Sequence, residues 1–155
     1  MAMNLEELIE IIEEIAPPDT QESWDNSGIQ VAAGPMEIQK VLTSLEITEA
    51  VIDEADEKDA DLILTHHPLI FGGIKKVDYR EMTGSFLVRL LNLGISVYSC
   101  HTPFDKLKGG NNDYLATHRP GRDSGVFRRA GGKPDRKDRV SQLSDDAGFH
   151  DGSSG

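Results

Sequence analysis

Two short stretches of this chain bring metal-ligating side chains together at a spacing that chemistry can use. The first is the doublet His66-His67; the second is His101-Thr102-Pro103-Phe104-Asp105, an imidazole and a carboxylate four residues apart. A carboxylate shared between two cations about 3.5 to 4 Å apart, with imidazoles completing the shells, is how dinuclear hydrolases generate hydroxide at neutral pH. His66, His67 and Asp105 are the expected ligands, and His101 is expected to act as a proton shuttle or outer ligand, the catalytic role. Mixed imidazole and carboxylate donors suit Zn, Mn, Fe or Ni better than Ca, as one ion or two. The single cysteine, Cys100, excludes a thiolate-rich structural zinc site.

Each of these stretches also has a plainer explanation. Adjacent histidines are equally a structural pair packed in a loop, and a lone His and Asp can be ordinary surface residues. Gly109-Gly110-Asn111-Asn112-Asp113 could cradle an anion on its backbone N–H groups, but an ordinary tight turn is the preferred reading. Glu46 could serve as ligand or base, though a solvated carboxylate ahead of a helix cap fits it better. Within Glu22 to Gly28 the only tryptophan, Trp24, reads as a packing anchor rather than a substrate contact.

The elements that must position these residues follow from periodicity. Leu5, Leu8, Ile9, Ile12 and Ile15 recur at helical spacing after a capping Asn4 and before Pro17-Pro18, which predicts an amphipathic helix of about three turns. Ile29 to Ala33 and Val41 to Leu45 are strand-length apolar runs separated by a Gly34-Pro35 turn. Thr48 opens a second helix that ends near Lys58. Leu62-Ile63-Leu64 is apolar throughout, as a strand covered on both faces should be. A third helix spans Arg80 to Leu93, with Phe86, Leu87, Leu90 and Leu91 inward and Gly94 as its stop. Ile95 to Ser99 is a β-branched strand, and a short helix opens at Tyr114.

Strand, helix, strand, loop, helix, strand is the order of a parallel sheet with right-handed crossovers, so the expected fold class is α/β, a layered fold with a mainly parallel sheet flanked by helices. Ligands in such sheets lie beyond the carboxyl ends of the strands. Those ends are Leu45-Glu46, Leu64 to His67 and Ser99 to His101, and each carries a possible ligand. A chain leaving the sheet at Pro68 can aim both His66 and His67 into one crevice.

The chain has 155 residues, 37% of them apolar, and a formal charge of -11. That length suits one domain, and that charge argues against a phosphate-backbone binder, so no nucleic-acid partner is expected. With no signal-peptide pattern and no apolar run of membrane-spanning length, neither a membrane nor an export route is expected, and a cytoplasmic location is. The charge is uneven. Residues 1–116 carry 8 Lys+Arg and 21 Asp+Glu, whereas residues 117–155 carry 8 and 6 and no Glu. The expected division is therefore a metal-binding α/β domain over 1–116 and a divergent, flexible tail over 117–155, too poor in large apolar residues to offset chain entropy.

The stretches ESWDNSGIQV at 22–31, DLILTHHPLIF at 61–71 and VYSCHTPFDKLKGGNNDYLA at 97–116, in that order, resemble the Nif-three-like family of dinuclear-metal proteins, whose members carry the name GTP cyclohydrolase 1 type 2 homologue. The resemblance spans about residues 4–116. It implies that His66 and His67 are the paired metal-binding histidines, Asp105 the bridging carboxylate and His101 the histidine lining the same site. It implies also a two-metal centre inside a toroidal homo-oligomer, a hexamer. Family members are longer and carry a further His and Glu near the C-terminus that complete the two coordination spheres. The tail here offers only His118 and His150 and no Glu, so half of the second shell is missing. A truncated or frame-shifted product and a divergent paralogue both fit that departure.

The expected function is that of a metal-dependent hydrolase, GTP cyclohydrolase- or phosphoesterase-like, acting on a phosphate-containing small molecule. The alternative is a non-catalytic metal-binding or protein-interaction module, or a truncated inactive product.

Overall fold

The computed structural model describes residues 2–118. The tail expected over 117–155, with His150, lies outside the described residues apart from Thr117 and His118.

A four-stranded sheet is the organising element. Its strands are β2 (Gly28–Val31), β4 (Val41–Ser44), β5 (Leu62–Thr65) and β6 (Ser96–Ser99), in the spatial order β2-β6-β5-β4. β4 pairs with β5, and β5 with β6, in parallel; β2 is an antiparallel edge strand whose register shifts between Ile29 and Val31. The remaining strands, β1 (Met3–Asn4) and β3 (Glu37–Ile38), form a separate two-stranded ribbon that sequence periodicity does not reveal.

Helices form where the sequence predicts them. Asn4 caps α1 (Leu5–Ile15) in a capping box closed by Glu7, which satisfies N–H groups that the helix cannot bond internally. Thr48 caps α2 (Glu49–Glu57) by accepting from the Val51 N–H at 3.2 Å. α3 (Met82–Leu93) ends at Gly94 with φ of 69°, a left-handed cap that favours glycine. Its start lies at Met82 rather than Arg80. There Gly84 is obligatory for another reason: a Cβ on it would stand 2.1 Å from the Asp78 carbonyl oxygen.

The two faces of the sheet bury different helices. Ile63 and Val97 pack with Ile52, Ala55, Phe86, Leu87 and Leu90 of α2 and α3, while Leu62 and Tyr98 pack with Leu5 and, at the margin, Leu8, Ile9 and Ile12 of α1. Consecutive strand residues thus serve opposite layers, so Leu62-Ile63 is apolar at both positions. One inward assignment is corrected: Leu91 is 53% exposed, and Ile15, the last of the apolar series in α1, is 59% exposed.

After β6 the chain forms the single helical turn α4 (Thr102–Asp105), then α5 (Asn111–His118), which starts three residues before the expected Tyr114. Among the described residues, no helix is long and apolar enough to cross a membrane.

Candidate metal centre

The carboxyl ends of β5 and β6 place the histidines. The ladder continues past the strands: the His66 N–H donates to the Ser44 carbonyl at 3.3 Å, the His67 N–H to Leu45 at 2.8 Å, and the Cys100 N–H to Thr65 at 2.8 Å. Thr65 and Ser99, paired across β5 and β6, share a buried hydroxyl hydrogen bond of 2.7 Å. Both hydroxyls also reach the His67 carbonyl, at 3.0 and 3.4 Å. This pair anchors the backbone where it leaves the sheet, so the doublet is held by more than the turn at Pro68.

Three imidazoles converge there. Ring centroids lie 5.2 Å apart for His66 and His67, 5.0 Å for His66 and His101, and 5.6 Å for His67 and His101. One ligand nitrogen from each lies within 4.8 Å of the other two. Asp105, carried by α4, stands beside this trio with Oδ1 3.5 Å from His66 Nε2. Glu46, 59% exposed, as expected for a solvated carboxylate, also turns an oxygen to within 3.6 Å of His67 Nδ1.

Hydrogen bonding decides which nitrogens are available. His66 Nδ1 lies 3.1 Å from the Cys100 carbonyl oxygen, which can only accept, so Nδ1 carries the proton and Nε2 is left with its lone pair. His101 Nδ1 lies 2.9 Å from Asp25 Oδ1, and the same logic frees its Nε2. The carboxylate and the carbonyl therefore orient these rings in the way that ligating histidines are oriented in metal sites.

Asp25 is the residue that sequence reasoning missed. Its side chain is fully buried. Its Oδ2 accepts from the Ser27 hydroxyl at 2.8 Å, from the Thr102 N–H at 3.0 Å and from the Thr102 hydroxyl. Burial alone would raise this carboxyl, but the hydrogen bonds from Thr102, His101 and Ser27 outweigh it and hold the group well below the usual carboxylate range. The only sequence signal was its place in the Glu22 to Gly28 segment; Ser27 is a near neighbour, but His101 and Thr102 lie more than 70 residues away. Cys100, by contrast, is pushed up to about 11, chiefly by burial, and remains a neutral thiol.

The donor set suits a divalent cation of the borderline kind. His66 Nε2 and Asp105 Oδ1 face each other at 3.5 Å, an arrangement that a positive charge between them stabilises, whether a proton on the imidazole or a metal ion. The Gly109 to Asp113 turn, on the other hand, already uses the N–H groups of both its glycines. The Gly109 N–H goes to Asp113 Oδ2 at 2.6 Å and the Gly110 N–H to the Leu107 carbonyl at 3.1 Å, so the ordinary-turn reading describes it.

Residues 3–131 match the family model described as Duf34/NIF3 (NGG1p interacting factor 3). The chain belongs to the NIF3 family. The matched segment runs past Thr117, where the recognisable motifs stop. A Clostridium perfringens relative named GTP cyclohydrolase 1 type 2 homolog is 43% identical over 113 residues, covering 73% of this chain and 43% of the relative. A Helicobacter pylori relative named GTP cyclohydrolase 1 type 2 is 41% identical over 102 residues, 66% of this chain and 41% of its own length. Among solved structures, a Bacillus cereus protein related to NIF3 superposes with a TM-score of 0.69 at 34% identity, covering 75% of this chain and 32% of that one. Reduced HcgD from Methanocaldococcus jannaschii also gives 0.69, at 36% identity, covering 76% and 47%. The chain thus spans less than half the length of these relatives.

Proposed function

We propose that this NIF3-family chain binds one or two divalent cations at His66, His67 and Asp105, at the carboxyl ends of its parallel strands, and that it is a metal-dependent hydrolase of phosphate-containing small molecules. The observation that carries the reading is the facing of His66 Nε2 and Asp105 Oδ1 at 3.5 Å beside two further imidazoles. Zn, Mn, Fe or Ni fits those donors. Such a cation supplies Lewis acidity, lowering the pKa of water and neutralising charge that develops on a phosphoryl oxygen.

The chain's own residues divide the remaining work. Cys100 and Asp25, through their oxygens, fix the tautomers of His66 and His101. His101 Nε2 can take a proton while Asp25 stabilises the resulting imidazolium, which makes His101 either a proton shuttle or a further ligand. Homo-oligomerisation as a hexamer belongs to the same proposal, as does the phosphate-bearing substrate, a class consistent with the GTP cyclohydrolase names of the relatives.

A non-catalytic metal-binding module is the second reading: the three clustered imidazoles can hold an ion without turning over a substrate. Turnover of GTP and of a phosphodiester with added Mn or Zn, compared with His66→Ala, separates the two. The hydrolase reading expects a metal-dependent rate that the variant loses. A rate no higher than that of the variant leaves only the binding module.

A further inference from the structure

The candidate metal centre has an aromatic wall that the proposed chemistry does not use. Trp24, expected to be a packing anchor, is instead 56% exposed, and Phe71 is 54% exposed. Their ring centroids are 5.9 Å apart with planes tilted by 42°. Both also meet His101 edge-on, Trp24 at 5.9 Å and Phe71 at 6.2 Å. The three rings form a continuous surface running from the histidine cluster outward.

Exposed aromatics on loops ordinarily move with their backbone, but the backbone that carries these two is held. Asn26 Nδ2 donates to the Ile70 carbonyl at 2.6 Å, and the Ile70 N–H donates to Gln30 Oε1 at 3.0 Å, which ties the Phe71 loop to the Trp24 segment. The Trp24 turn is closed by the Asp25 N–H on the Glu22 carbonyl at 2.9 Å, and the Glu22 N–H is fixed on Thr102 Oγ1 at 3.0 Å. Ordering costs entropy, and here the backbone share of it has been met in advance beneath side chains that remain half in water. A surface of this kind is suited to the face of a planar ring, since stacking on Trp and Phe needs no particular hydrogen-bonding pattern.

We infer that Trp24 and Phe71 form a stacking subsite for a planar aromatic ring in the substrate, with the ring's phosphate-bearing end directed past His101 towards His66, His67 and Asp105. This rests on the proposed function for the direction of the phosphate, but the stacking itself does not require a metal. A nucleotide-like aromatic phosphate is the substrate class.

Because Trp24 is the only tryptophan, its fluorescence reports on the subsite directly. Acrylamide quenching is to be measured on the full chain with adenosine 5′-monophosphate and with ribose 5-phosphate, which has the phosphate and sugar but no ring. Expected is an accessible Trp24 that adenosine 5′-monophosphate protects and ribose 5-phosphate does not. Phe71→Ala should weaken nucleotide affinity about tenfold while leaving metal content unchanged. Equal effects of the two probes, or a Phe71→Ala variant that binds the nucleotide normally, would overturn the inference. So would a Trp24 already shielded without ligand, because a second copy or another part of the chain would then cover the shelf. Protection by the nucleotide in a protein that holds no metal would keep the subsite and remove the hydrolase reading; bound metal without protection would do the reverse.

Discussion

At the scale of single residues, the site depends on atoms that accept but cannot donate. The Cys100 carbonyl and the Asp25 carboxylate each accept a hydrogen bond from a histidine Nδ1, leaving Nε2 with its lone pair as the available ligand atom. Asp25→Asn tests this: the amide keeps the shape but can present N–H where His101 needs an acceptor. Metal affinity, read by competition with a chromophoric chelator, should fall about 10- to 100-fold, and stability by about 1–3 kcal/mol, because buried donors on Thr102 and Ser27 lose a charged partner. Unchanged affinity would mean that Asp25 serves packing alone. His66, His67, His101 and Asp105 were legible as candidates because their types and strand-end positions are local facts. Asp25 was not, because its importance lies in contacts with Thr102 and His101 across more than 70 residues, and local sequence carries no trace of such contacts. Trp24 was misjudged for a similar reason: whether a large ring is covered depends on what the fold brings against it.

At the scale of elements, caps and strands were readable because each has a local cause. Asn4 and Thr48 cap their helices, Gly94 ends α3 in the left-handed region, and the apolar doublet Leu62-Ile63 faces both layers. The β1–β3 ribbon and the α4 turn were not, since two-residue strands and a single helical turn have no periodicity to detect. Three substitutions check these assignments by denaturant unfolding. Thr48→Ala should cost about 1 kcal/mol through the lost cap, and Leu90→Ala, fully buried between α3 and the sheet, about 2–5 kcal/mol. Gly84→Ala should cost about 1–3 kcal/mol or more, because its Cβ would meet the Asp78 carbonyl at 2.1 Å. A neutral Gly84→Ala would show that the loop before α3 can yield.

At the scale of the whole molecule, the sheet delivers three strand ends to one edge, and His66, His67 and the His101–Asp105 segment leave from two of them. The third, after β4, contributes Glu46, which sits 3.6 Å from His67. The mixed α/β class was legible from the order of elements; the antiparallel direction of β2 was not, because a four-residue apolar run looks alike in either direction. The family was legible from three motifs, and the match to the family over residues 3–131 bears that out. If a cation binds the folded chain at this edge, mass action should raise the melting temperature. Ligand at about 100 times Kd adds about 2.7 kcal/mol, a shift of several degrees. Chelation should reverse it, with little effect in His67→Ala.

The most direct test of the central claim is elemental analysis of the purified chain alongside His67→Ala and Asp105→Ala. The wild-type protein should retain a divalent ion that both variants lose while each stays folded. Finding no bound ion in the wild type, and no uptake when Mn or Zn is added, would contradict it.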